Sequence, residues 1–113
     1  MANKFDVANA ATREPDEILK GALVQWTRAD LTGDYNPDLY KLVLTARDAS
    51  GANKLSRDSA ANANGDHMFT LSSAITATLQ PSNYYWQIEI ERLSDAERTA
   101  LLDPKNHEML RAV

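Results

Sequence analysis

The chain of 113 residues contains no cysteine. That absence excludes disulfides, thiolate zinc sites and thiol nucleophiles, and it leaves the redox compartment unread. Glycine is scarce, with four residues, all isolated, so no glycine-rich phosphate loop can form. Positive charge is in the minority: 12 Lys and Arg face 16 Asp and Glu, a formal net charge of −4. Such a balance disfavours phosphate backbones and anionic membrane surfaces, whose binding rests on Lys and Arg. No apolar run approaches the length of a membrane span. The opening stretch, MANKFDVANAATREPDE, lacks the apolar segment of a secretory signal, so synthesis in the cytoplasm is expected. Hydrophobic residues at 43% and charged residues at 25% form an ordinary globular balance. The length suggests one domain with a real core.

The clearest pattern is NYYWQIEIE, where Trp86, Ile88 and Ile90 alternate with Gln87, Glu89 and Glu91. Alternation of period two marks a strand with one buried and one wet face. In ALVQWTR, Val24 and Trp26 share a face; in HMFTLS, Phe69 and Leu71 do. YKLVLTAR places Tyr40, Leu42 and Leu44 on one face and Val43 on the other, which suits a central strand. Val24, Trp26, Tyr40, Leu42, Leu44, Phe69, Leu71, Trp86, Ile88 and Ile90 are the expected core, and the two tryptophans join it by phase rather than standing out as ligand platforms. Residues 1–16 carry little periodicity and read as a flexible arm, with Phe5 and Val7 as its apolar residues; residues 17–113 form the domain. The polar stretch 48–66 is either a functional loop or hides a short edge strand near Lys54–Ser56. Asn64-Gly65 is a candidate type I′ turn. In the tail, Ser94 and Glu97 are spaced like a helical capping box. The preferred reading makes SDAER a hairpin loop, with RTALL and EMLRAV as closing strands around Asp103-Pro104.

Candidates for chemistry are few. Asp30, Asp34, Asn36 and Asp38 crowd one loop, but their spacing is not that of a calcium-binding loop, so they read as a solvated turn. His67 and His107 sit in no ligand-spaced motif and read as surface or turn residues. No serine occupies a nucleophile elbow. Glu89 and Glu91 belong to the outward face of a strand, where carboxylates are usually solvated. The sequence therefore predicts no catalytic residue, no metal and no cofactor. Surface contact remains, and apolar or aromatic residues on polar segments are its expected anchors: Phe5, Val7, Tyr35 and Leu55.

Leu79, Pro81 and Tyr84 form L-x-P-x-x-Y directly before the alternating strand. This suits a corner in which an inward tyrosine hydrogen-bonds to upstream backbone, here expected near Ile75–Leu79. Tyr85 has the outward phase. Together, GALVQWTRADLTGDYNPDLYKLVL and TLSSAITATLQPSNYYWQIEIERLSDAER resemble a group of small proteins encoded in the structural gene clusters of tailed phages and prophages. The shared pattern is a W-x-R strand, a D-Y-x-P loop, the tyrosine corner with its strand, and a closing hairpin. Ser82-Asn83 and Asp103-Pro104 depart from it, standing where such proteins usually carry glycine. The resemblance implies an all-β, immunoglobulin-like antiparallel β-sandwich with a flexible N-terminal arm. It implies a non-enzymatic virion protein of the head–neck or head–tail region, or a head decoration. Its partners would be capsid, neck or tail proteins and further copies of itself. A fibronectin-like ligand- or carbohydrate-binding module is the alternative.

Overall fold

The computed structural model describes Glu14, Pro15, residues 17–101 and the backbone of residues 109–112. Strands among these are β1 (Glu17–Ile18), β2 (Val24–Thr27), β3 (Tyr40–Arg47), β4 (Asn53–Asp58), β5 (Ala60–Ala61), β6 (His67–Leu71), β7 (Ser82–Arg92), β8 (Arg98–Ala100) and β9 (Met109–Ala112). A single helical turn, α1 (Ser73–Thr76), joins β6 to β7, and a 3-10 turn covers Ala29–Leu31. The larger sheet runs β1-β9-β7-β3-β4, with β8 also on β7; the smaller runs β2-β6-β5. Every pairing is antiparallel except β1 with β9. The fold is an all-β sandwich. No helix among the described residues is long and apolar enough to cross a membrane.

Alternation decides what each strand buries. Tyr84, Trp86, Ile88 and Ile90 of β7 point inward beside Leu42, Leu44 and Ala46 of β3. The smaller sheet answers with Trp26, Phe69 and Leu71; Trp26 and Phe69 are opposed in register and stack at 5.2 Å. Ile18, Leu55, Leu79 and Leu101 complete the core. Each such side chain contributes about 1.5–3 kcal/mol on burial. Val24 and Tyr40, expected inside, are only partly buried and flank the core. Val43, on the outer face of β3, is buried as well, between Glu89 of β7 and Asp58 of β4.

The polar stretch 48–66 holds two strands, β4 and β5, between turns. Asn53–Asp58 pairs with β3, and after Ser59 the chain changes sheets, so that Ala60–Ala61 pairs with β6. Ser59 makes this crossing: its N–H donates to Leu42 O at 2.8 Å and its Oγ accepts from Leu42 N–H at 2.9 Å. The two hairpin ends use one device. Asp48 Oδ1 accepts from the N–H groups of Ser50 and Ala52, and Asn62 Oδ1 accepts from those of Asn64 and Asp66. Gly51 (φ 85°) and Gly65 (φ 79°) supply the left-handed residue that closes each turn. The expected type I′ turn at Asn64-Gly65 is thus a three-residue loop, since Asn64 keeps a negative φ.

β8 and β9 both lie on the edge of β7 away from β3. Leu101 bonds to Ile88 and Met109 stands opposite Tyr85, so the chain advances eight residues while β7 moves three. The closing strand is split in two. Asp103, Pro104 and His107 fall outside the described residues. Residues 93–96 form a hairpin loop rather than a helix start: Asp95 Oδ1 takes the Glu97 N–H at 3.2 Å, and Ala96 adopts φ 59°.

Candidate interaction surface

One end of the sandwich sets two exposed leucines, Leu39 and Leu93, beside a cleft; Leu19, Leu23 and Tyr85 are also exposed but line neither concavity there. The loop between the 3-10 turn and β3 is organised by Asn36, whose carbonyl accepts from the Leu39 and Tyr40 N–H groups and whose side chain accepts from Asp38 N–H. This turn directs the Tyr35 ring inward against Tyr40, edge to face at 5.5 Å and 84°. A cleft of about 470 Å³ opens there, with Tyr35, Tyr40, Ile90 and Thr99 as walls and Arg92, Asp95, Glu97 and Arg98 on its rim. A second concavity of about 370 Å³ adjoins it across Tyr40 and Arg92, lined by Leu39 and Leu93. Leu93 N–H bonds to Leu39 O at 2.9 Å, which fixes the two leucines side by side. Their side chains are 62% and 48% exposed.

Three of the four rim charges, Arg92, Asp95 and Arg98, are paired. Arg92 grips Asp95 through two bonds of 3.0 and 2.6 Å, which raises the guanidinium pKa and lowers that of the carboxyl. Arg98 donates to Glu91 at 2.7 Å, Lys41 meets Glu91 at 3.2 Å, and Lys41 also bonds to Asp58 at 3.0 Å. Charge thus alternates across β8, β7, β3 and β4. Glu91 lies on the outer face as the alternation requires, yet it is only 8% exposed because two cations cover it. The hydrogen bond from Arg98, then that from Lys41, holds its carboxyl below the ordinary range. With these charges matched pairwise, the surface offers apolar contact and shape beside its ion pairs.

Behind the cleft lies a buried polar chain. His67, expected at the surface, is 1% exposed. Its position on β6 shares the phase of Phe69 and Leu71, and that phase faces the core. The Tyr35 carbonyl can only accept, so His67 Nε2 carries the proton and donates to it. Nδ1 then accepts from Ser59 Oγ at 3.2 Å. Burial pushes the imidazole pKa down, against the smaller opposing influence of the Tyr35 bond. Leu42, Ser59, His67 and Tyr35 are in this way linked across both sheets. Nearby, Arg28 is buried and holds Asp30 through two bonds and Glu14 through one of 2.6 Å. Burial alone would lower its pKa; the bonds to Asp30 and Glu14 outweigh this and raise it.

The sequence-expected anchors separate. Tyr35 forms a cleft wall. Leu55 is buried, because on β4 it alternates inward between exposed Lys54 and Ser56; it offers no surface anchor. Phe5 and Val7 lie outside the described residues. Among the described residues no group of acidic or histidine side chains could hold a metal ion; Asp30 is engaged by Arg28 and Asn36 by its own turn. Leu39 and Leu93 were not singled out from the sequence, although their signal was present: each is apolar and stands one residue beyond β3 or β7, in the outward phase. At the corner, Leu79 is buried and Tyr84, 3% exposed, reaches the backbone of Gln80 rather than of residues 75–79. Tyr85 points outward. No protein-family model and no curated protein matches the chain.

Proposed function

We propose that this protein is an immunoglobulin-like structural component of a tailed-phage virion. In this reading it acts without catalysis, through subunit contacts in the head–neck or head–tail region or as a head decoration. The fold part of the proposal draws on strand order. A β2-β6-β5 sheet faces β9-β7-β3-β4, and a tyrosine at the start of β7 bridges back to the preceding corner; both features support an immunoglobulin-type reading of the sandwich. The functional part rests above all on the Leu39–Leu93 patch, where two exposed leucines adjoin a tyrosine-walled cleft amid matched charges. Exposed apolar patches rimmed by polar residues mark contact sites, and many weak identical contacts become strong by avidity. Mass spectrometry of particles purified from the source tests the reading: the protein should be present in fixed stoichiometry. Particles that lack it would end the proposal.

A fibronectin-like module binding a small ligand or carbohydrate draws on one feature, the paired rings of Tyr35 and Tyr40 in a cleft of ligand size. Titration with oligosaccharides, followed through tyrosine amide and ring signals, separates the two readings.

A further inference from the structure

The larger sheet ends on β4. One side of β4 pairs with β3, and among the described residues no strand pairs with the other. The other strands with an open side, β1, β2, β5 and β8, run for two, four, two and three residues, whereas β4 runs for six. A long open edge is a template for pairing with another chain, and folded proteins normally cover or blunt it.

The backbone of β4 shows which groups are on offer. Ser59 N–H donates to Leu42 O at 2.8 Å, and the register of β4 on β3 continues from that pair. By the alternation of an antiparallel ladder, Leu55 and Arg57 turn their N–H and C=O toward β3, and Lys54, Ser56 and Asp58 turn theirs to the open side. The side chains of the same three residues share the face of the strand opposite to buried Leu55, and all three residues are exposed. Lys54 and Asp58 carry opposite charges, and Ser56 stands midway between them.

That order is self-complementary under a twofold axis. With the axis at Ser56, Lys54 of each copy falls opposite the partner's Asp58, and serine meets serine. All three positions are then hydrogen-bonded pairs, because all three point their backbone groups across the edge. Opposite charges directly across a ladder attract, and like charges repel. An axis at Leu55 or Arg57 sets a charge against serine, and an axis at Lys54 or Asp58 sets like charges together, so one register is favoured. The charges have capacity for this contact. Lys54 Nζ lies 3.8 Å from Asp48, beyond hydrogen-bond distance. Asp58 accepts from Lys41 at 3.0 Å, and a carboxylate has acceptor sites for a second cation.

We infer that two copies of this protein pair antiparallel along β4, about a twofold axis at Ser56, joining their larger sheets into one. Such a contact uses the same edge on both copies, so it closes at a dimer and leaves neither β4 edge open. The inference stands whether or not the protein belongs to a virion.

Sedimentation equilibrium on the full chain should show a monomer–dimer equilibrium. Lys54→Asp and Asp58→Lys each set like charges across the axis, so each variant alone should be monomeric. Mixed in equal amounts, the two variants should form a heterodimer, since both cross-strand pairs are then opposite in sign. Amide hydrogen exchange on the unaltered protein locates the contact without any substitution. The Ser56 and Asp58 amides should slow as concentration rises, and the Arg57 amide, which faces β3 in either state, should not change. A chain that stays monomeric to millimolar concentration would overturn the inference. So would single variants that dimerise like the parent, a mixture that stays monomeric, or a dimer in which the Ser56 amide exchanges as in the monomer.

Discussion

The hydroxyl of Tyr84 sits astride the backbone of Gln80, donating to its carbonyl oxygen at 2.9 Å and accepting from its N–H at 3.1 Å. Both bonds fasten the connection from α1 to the first turn of β7, just after Pro81. Tyr84→Phe should destabilise the fold by about 1 kcal/mol, the net worth of a typical hydrogen bond, because Gln80 is exposed and water can replace the lost partner. Tyr85→Phe should leave stability unchanged, since Tyr85 is 46% exposed. Urea denaturation of the two variants gives the comparison; equal effects would refute it.

Trp86 lies in the core on the longest strand, between Tyr84 and Ile88. Trp86→Ala should cost about 3–5 kcal/mol, the transfer energy of the ring plus the cavity it leaves. The chemical denaturation midpoint should fall accordingly, with a β-type circular dichroism spectrum retained wherever the variant still folds.

His67 makes stability depend on pH. Its folded-state pKa lies below the ordinary 6.5, so the unfolded chain binds a proton that the folded chain refuses. The contribution is fully present above pH 6.5 and is lost as pH falls through the folded value. Asp48, Glu91 and Asp95 have lowered pKa values, through hydrogen bonds from Ser50, Arg98 and Arg92 respectively, so their losses come at more acidic pH. Urea midpoints across roughly pH 5 to 8 should therefore decline on the acid side. His67→Phe should flatten that slope while lowering stability overall, since Ser59 loses its acceptor. An unchanged slope would show that another group titrates.

Glu91 joins Arg98 and Lys41 across three strands. Glu91→Gln should lower the melting temperature by leaving two cations side by side. Part of that loss should be recovered at high salt, which screens their repulsion.

Leu39 and Leu93 contribute exposed surface rather than core. Leu39→Ser and Leu93→Ser should shift stability by no more than about 0.5 kcal/mol. If the patch is a subunit contact, the same changes should reduce incorporation into particles. Normal incorporation would remove the patch from the proposed function.

Much of the fold was written locally. Period-two alternation alone assigned the faces of β2, β3, β6 and β7, because a strand has only two sides and the apolar set must take one. At the corner the inward phase of Tyr84 was legible, but its backbone partner is Gln80 rather than a residue of 75–79. What the sequence could not decide depended on which strands became neighbours. His67 followed the buried phase of Phe69 and Leu71, but only its meeting with Ser59 and the Tyr35 carbonyl supplied partners that make a neutral imidazole acceptable inside. Leu55 became core once β4 paired with β3. Glu91 changed from a solvated carboxylate to a covered one because β3 and β8 brought Lys41 and Arg98 to it from fifty residues upstream and seven downstream along the chain. Leu39 and Leu93, far apart in sequence, became one patch because the ladder between β3 and β7 ends on the bond from Leu93 N–H to Leu39 O. Local periodicity sets the direction of a side chain; only tertiary pairing sets what it meets.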